Sequence, residues 1–349
     1  MRAAVLRSGQ LLVDDVPDPS PAFGQVLVRT LACGICGSDL HFVRHAPAMV
    51  ELTRQLAGPM TPMTGPPLDL GRDIVMGHEF VAEVLEAGPD TMAPPAGTVV
   101  TSMPALVTAQ GFVTLAYNND FPGGYAERML LSAPLLLEVP NGLSPERAAL
   151  TEPMAVGIHA VGKSGIGAGE AALVLGCGPV GLAVVAGLRL RGVEPIVATD
   201  LSPTRRELAR TLGAHECVDP RDEPGIEAWR RIDGRRALVL FEAVGVPGMI
   251  DTAIRDAPAA SRVVVVGVCM EGDMIQPFFA IAKELNVQFA LGYDPTEFAG
   301  ALRSIAEGEI DVGPLVTGRV DIDGVPGAFQ ELAHPDAHAK ILVEPAHLA

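Results

Sequence analysis

Residues 171–181 read Ala171-Ala172-Leu173-Val174-Leu175-Gly176-Cys177-Gly178-Pro179-Val180-Gly181, and the organisation of the chain can be worked outward from them. The wholly apolar run before Gly176 is the pattern of a short strand buried on both faces, as parallel sheets require. A Gly-x-Gly-x-x-Gly spacing follows, and the stretch from Val180 to Arg191 continues as a helix. About 20 residues further on, Asp200 ends the next apolar run, Pro195 to Thr199. Gly176 permits a tight turn, Gly178 lets backbone approach a pyrophosphate, and Gly181 lets the helix lie close to the sheet. Pro179 and Val180 open that helix, whose first N–H groups are unpaired and face an anion. Asp200 is placed to accept hydrogen bonds from an adenosine ribose, and its charge would repel a 2′-phosphate, so the loop predicts NAD rather than NADP. The plainer alternative is an ordinary strand-to-helix turn with Asp200 capping the next helix. Arg205 lies either over the adenine or on a solvated helix face, and Arg206 reads as solvent-exposed.

Beyond Asp200 the alternation continues, with helices over Arg205–Leu212 and Gly248–Asp256 and strands at Cys217-Val218, Ala237–Phe241, Val263–Val268 and Val287–Leu291. That order predicts an α/β unit with a doubly wound parallel sheet. Upstream the character is different. Short alternating segments such as Gln25–Thr30, Ile74–Ala87, Gly97–Val100 and Gly123–Val139 predict a β-rich unit. Between His41 and Asp73 prolines are frequent, Ala48–Leu56 is the only helical candidate, and the stretch reads as mostly loop. Ser144 and Pro145 open a helical region that continues over Met154–Lys163.

A chain of 349 residues with 48% hydrophobic content favours two domains. The expected division is 1–153 with 293–349 for the β-rich domain, and 154–292 for the dinucleotide-binding one. A net charge of −17 with no basic cluster argues against nucleic acid and against anionic membrane surfaces. No apolar leader follows Met1, and the run at Val263–Val266 is far too short to span a bilayer. Five thinly spread cysteines fit free thiols in a reducing, cytoplasmic setting better than a disulfide framework.

The chemistry concentrates elsewhere, in Cys33-Gly34-Ile35-Cys36-Gly37-Ser38-Asp39-Leu40-His41, in Gly77-His78-Glu79 and in Glu152-Pro153. The Cys33-x-x-Cys36 spacing occurs in redox and structural-zinc motifs, but no second pair exists and Cys33 reads as packing. Taken in order with the glycine loop, Asp200 and the closing Ala339-Lys340-Ile341-Leu342-Val343, these segments resemble the zinc-dependent alcohol dehydrogenases of the medium-chain dehydrogenase/reductase superfamily. The likeness runs over essentially the whole chain.

It implies a GroES-like catalytic domain, a Rossmann domain and one catalytic zinc in the cleft between them. By position the zinc ligands would be Cys36, His78 and Glu152, with Glu79 behind the metal. The carboxylate ligand places the chain nearer the polyol and threonine dehydrogenases. Thiolate, imidazole and carboxylate are a donor set that zinc accepts, with a fourth position open for substrate. The resemblance further implies a proton relay from substrate through Ser38 and the cofactor ribose to His41, with Asp39 supporting His78. It puts the stretch Phe241–Val246, Val244 included, beside the nicotinamide.

Relatives often carry four cysteines holding a structural zinc. The corresponding region, about Val99 to Gly123, has none, so no second zinc is expected and apolar contacts such as Phe112 and Tyr117 would hold that lobe. Phe42, Met49, Phe112 and Tyr117 are candidate substrate walls. The expected function is hydride transfer between NAD and a small alcohol or polyol and its carbonyl partner, in a homodimer or homotetramer. Two alternatives are a zinc-independent NAD(P)H quinone or enoyl reductase of the same superfamily and a non-catalytic dinucleotide-binding protein. Cys36 and His78 weigh against the first; the second predicts NADH binding without zinc and no oxidation of any alcohol.

Overall fold

The structure is a computed structural model that describes residues 1–56, 68–109, 111–334 and 338–345. It comprises two compact units, 1–152 with 316–349, and 153–315.

The first unit is built on antiparallel strands. β1 (Arg2–Arg7) and β2 (Gln10–Asp15) form a hairpin. β3 (Gln25–Gly34) leads through Ile35 and Cys36 into α1 (Gly37–Leu56). There follow β4 (Glu79–Ala87), β5 (Val99–Ser102), the separate hairpin of β6 (Ala105–Thr108) and β7 (Gly111–Thr114), then β8 (Arg128–Ser132) and β9 (Leu136–Glu138). Helix α2 (Pro145–Ala148) comes next, and α3 (Thr151–Ser164) carries the chain into the second unit, which begins at Pro153.

The second unit alternates β10 (Ala171–Leu175), α4 (Pro179–Leu190), β11 (Ile196–Thr199), α5 (Pro203–Leu212), β12 (Glu216–Val218), α6 (Gly225–Ile232), β13 (Leu238–Glu242), α7 (Met249–Asp256), β14 (Arg262–Val265), α8 (Pro277–Ala282), β15 (Asn286–Phe289) and α9 (Pro295–Ala306). All its strand pairs are parallel, in the order β12-β11-β10-β13-β14-β15. This is a doubly wound sheet that reverses between β10 and β13, and such reversal points are where open α/β sheets bind ligands. Its core contains Leu173, Leu175, Val197, Trp229, Leu240, Val263 and Val265.

The chain then returns to the first unit with β16 (Val316–Val320), α10 (Val325–Leu332) and β17 (Lys340–Val343). These complete a seven-stranded sheet of order β16-β17-β3-β4-β5-β9, with β8 also paired to β3. Its core gathers Val5, Val28, Phe42, Met76, Phe80, Tyr125, Met129 and Ile341. Among the described residues no helix is long and apolar enough to cross a membrane.

Several expectations are corrected here. The helix at Ala48–Leu56 begins eleven residues earlier, at Gly37, so most of the motif from Cys36 to His41 is helical. Pro47 lies inside this helix; the backbone leaves helical geometry at His45 (φ −127°, ψ 19°) and resumes, which accommodates the missing N–H. The remainder of the expected loop, residues 57–67, lies outside the described residues. Residues 293–315 fall with the parallel-sheet unit. The reason is α9, which buries Phe298, Leu302 and Ile305 and carries Glu297, 2.7 Å from His159. Phe112 is 56% exposed and holds no lobe together; the buried residues of that region include Leu106, Val113, Leu115 and Ala116. Phe42 is part of the core.

Candidate active site

The first cluster arises where two strands begin and end together. β3 and β4 pair antiparallel with Gly34 opposite Glu79, so Cys36, just beyond β3, meets His78, just before β4. A Cβ at Gly34 would collide with Glu79 Oε2, which explains the glycine and the complete burial of the carboxylate. Ligating atoms of Cys36, His78 and Glu79 lie within 4.8 Å of one another, the one such group of three among the described residues. Glu152, half-buried in the first turn of α3, stands outside that group.

Glu79 is occupied. Both its oxygens bind Lys340 Nζ, at 2.7 and 2.6 Å, and Lys340 also donates to Ile35 O at 3.0 Å. β17 places the lysine there by pairing with the end of β3, Leu342 opposite Gly34. Burial would lower the pKa of the ammonium, but Glu79, followed by Cys36 and Glu152, outweighs it and holds Lys340 charged. The carboxylate of Glu152 is therefore felt at the same lysine as the Cys36 sulfur.

Asp39, wholly buried in the first turn of α1, organises the opposite side. It accepts from the Tyr117 hydroxyl at 2.7 Å and the Tyr125 hydroxyl at 2.6 Å, and from Cys36 N at 3.3 Å. His78 Nδ1 lies 3.5 Å from Asp39 Oδ1 and has no hydrogen bond of good geometry, so the contact is chiefly electrostatic. Burial opposes charge on both residues. The attraction between them wins, lowering the pKa of Asp39 and raising that of His78 well above its ordinary range. Burial and then Asp39 push both tyrosines well upward, keeping them protonated.

Thiol, imidazole and carboxylate converging on a buried point fit a catalytic zinc by the chemistry of the donors. A buried imidazole nitrogen backed by a carboxylate is the usual support for a metal-binding histidine. Ser38 Oγ bonds to the Tyr117 hydroxyl at 3.0 Å. His41 is half-buried, with its pKa lowered by burial and then by His45 and Arg44, and it makes no hydrogen bond to Ser38.

The dinucleotide loop of the second unit is made by backbone. Gly176 has φ +90°, and a Cβ there would lie 2.7 Å from Val244 Cγ2. A Cβ on Gly181 would strike the carbonyl oxygen of Gly176, so only glycine lets α4 approach β10. Gly178 is the N-cap of α4 and Pro179 its first residue, followed by Val180. Asp200 accepts from Cys177 N and Ser202 N, both at 2.8 Å, tying the glycine loop to the turn after β11. The cap of α5 is Ser202, so Asp200 is not the cap. Arg205 is half-buried with Nε lacking a partner. Arg206 is not solvent-exposed: it binds Asp200 O at 2.7 Å and Asp219 at 3.1 Å. Val244 lies on the loop after β13, which the buried Glu242 holds by accepting from Val244 N and Gly245 N.

Sequence reasoning missed the roles of Lys340, Tyr125 and Glu242, and it read Tyr117 as a lobe contact or substrate wall. A lysine or glutamate inside an apolar strand was the available signal, since such a charge needs a buried partner. Nothing local marked the tyrosines.

Comparison with known proteins agrees with this architecture. Residues 22–141 match the alcohol dehydrogenase GroES-like domain family, and residues 179–307 match the zinc-binding dehydrogenase family. The (R,R)-butanediol dehydrogenase of Bacillus subtilis (strain 168) is 33% identical over 95% of this chain and 96% of its own length. The sorbitol dehydrogenase of the same organism is 26% identical over 99% of this chain and 97% of its own. In crystal structures, the 2R,3R-butanediol dehydrogenase of Bacillus subtilis superposes with a TM-score of 0.83 at 31% identity, covering 99% of both chains. A zinc-binding dehydrogenase of Sinorhizobium meliloti 1021, solved with NADP, gives 0.81 at 29% identity, again over 99% of both. The chain belongs to the zinc-binding dehydrogenases of the medium-chain dehydrogenase/reductase superfamily, in its polyol dehydrogenase-like group, and is an oxidoreductase.

Proposed function

We propose that the chain is an NAD-dependent zinc alcohol dehydrogenase that interconverts a primary or secondary alcohol, of the diol or polyol class, with its aldehyde or ketone. The observation that carries this reading is the convergence of Cys36 and His78 with buried carboxylates beside the Ser38 hydroxyl. The names of the butanediol and sorbitol dehydrogenases support the substrate class. One catalytic zinc per chain would be held by Cys36, His78 and Glu152, and it supplies Lewis-acid polarisation of the substrate oxygen. Glu79 is assigned a place behind the metal because Lys340 already engages both its oxygens. Asp39 would orient His78, Ser38 would receive the substrate hydroxyl, and with the dinucleotide bound its ribose would lie between Ser38 and His41, toward which the proton would leave.

For the cofactor, Gly176, Gly178, Pro179, Val180 and Gly181 would cradle the pyrophosphate. Val244 would flank the nicotinamide. Asp200, with lone pairs remaining on oxygens already fixed by Cys177 and Ser202, would accept from the adenosine ribose, and Arg205 would lie along the adenosine. The NADP bound to the Sinorhizobium relative makes this preference worth testing.

Five free thiols fit a cytoplasmic setting. The outer edge of β15 ends the sheet and carries exposed Phe289, with Leu291, Phe278 and Ile281 exposed close by in sequence. That apolar edge supports assembly of identical copies into a homodimer or homotetramer.

Metal analysis followed by NAD and NADP reduction across an alcohol panel tests the reading. About one zinc per chain and NAD-linked oxidation of diols or polyols are expected, and zinc-free protein inert to the whole panel would refute it.

A further inference from the structure

Five carboxylates are buried among the described residues, and four of them face a basic group. Asp39 lies 3.5 Å from His78, Glu79 2.6 Å from Lys340, Asp219 3.1 Å from Arg206 and Glu344 3.2 Å from Arg319. Glu242 is the exception. It is 1% exposed, and its Oε1 accepts from Val244 N at 2.7 Å and from Gly245 N at 2.9 Å. Among the described residues no lysine, arginine or histidine forms an ion pair with it. Taking a carboxylate out of water without an opposite charge is costly, so buried carboxylates are normally paired.

The position of Glu242 indicates the kind of partner that would complete it. It ends β13 opposite Leu175, the last residue of β10, and the sheet reverses between these two strands. The loop that Glu242 braces packs against the glycine loop, since a Cβ on Gly176 would lie 2.7 Å from Val244 Cγ2. The loop after β14 approaches as well: a Cβ on Gly267 would lie 2.8 Å from Glu242 Oε2, and one on Gly245 would lie 2.8 Å from Val268 N. Val244 and Val268 are nevertheless 42% and 44% exposed. Two part-exposed apolar side chains beside a buried, unpaired negative charge suit a flat ring that carries positive charge.

We propose that Glu242 is the counter-charge for the oxidised nicotinamide ring, so that the chain binds NAD+ in preference to NADH, whose ring is uncharged. The inference rests on the dinucleotide reading above, which sets Val244 beside the nicotinamide. The carboxylate acts through its field, while the two backbone N–H groups hold it in place.

Calorimetric titration with NAD+ and with NADH tests the proposal. Glu242→Gln keeps an oxygen for the two N–H groups and loses the charge. NAD+ should therefore weaken relative to NADH by about fivefold, the scale of a charge pair in partly solvated protein. Glu242→Asp keeps the charge and should hold the parental ratio even where both affinities fall. Equal weakening of the two forms in Glu242→Gln would make the residue a loop brace only and overturn the proposal.

A second measurement needs no variant. Benzamide adenine dinucleotide has the shape of NAD+ with an uncharged ring, and the parent chain should bind it about fivefold more weakly than NAD+. Equal affinities would overturn the proposal. Protein that binds none of the three dinucleotides overturns instead the functional reading on which the proposal rests.

Discussion

The two sites of this molecule are built by opposite means. The cluster around Cys36 and His78 is made of side chains from β3, α1, β4, the segment carrying Tyr117 and Tyr125, and β17, brought together by antiparallel pairing. The dinucleotide loop is made largely of backbone from one contiguous stretch, with Asp200 and Glu242 bracing it. The first spends stability on buried charge, and the second depends on the absence of Cβ atoms. Deleting a side chain should therefore damage the first site, and adding a methyl group should damage the second.

The largest effect is expected from the most buried charge pair. Lys340→Met strands the Glu79 carboxylate and should lower unfolding stability by about 3–5 kcal/mol, read from urea midpoints. Pairing it with Glu79→Gln should recover most of that loss, because no charge is left unpaired. At the backbone site, Gly181→Ala forces a methyl group against the Gly176 carbonyl. It should cost roughly 1–3 kcal/mol and weaken NADH binding, measured by calorimetry, while zinc content stays as in the parent protein. Asp39→Asn keeps the size of the side chain but removes its charge beside His78. Zinc affinity, followed by chelator competition, should fall about 10–100-fold with dinucleotide binding unchanged. The smallest effect belongs to Asp200→Ala, which should reduce the preference for NAD over NADP by roughly tenfold, the scale of one bond to a charged group. If either backbone-site variant lost zinc, or Asp39→Asn lost NADH, the two sites would not be as separate in construction as described.

The same contrast explains what could be read from the amino acids alone. The glycine loop announces itself because its geometry is local: Gly176 and Gly181 are required by atoms a few residues away or on the next strand. Cys36, His78 and Asp39 were legible as a motif. Lys340 was not recognised as the partner of Glu79, because a lysine in an apolar strand signals a buried partner but not which residue, here 261 positions away, supplies it. Tyr117 was read as a lobe contact or substrate wall, with no sign that its hydroxyl joins Ser38 to Asp39. The early start of α1 was hidden by Pro47, whose cost is absorbed at His45. The boundary near residue 293 was misplaced because α9 resembles any amphipathic helix until its contact with His159 is seen.

The zinc content of purified protein, compared with that of Cys36→Ser, His78→Ala and Glu152→Ala, tests the central claim most directly. The parent chain should carry about one zinc, each variant should lose most of it, and alcohol oxidation should fall in step. Zinc retained at parental levels in the Cys36 and His78 variants, or parental activity without the metal, would contradict it.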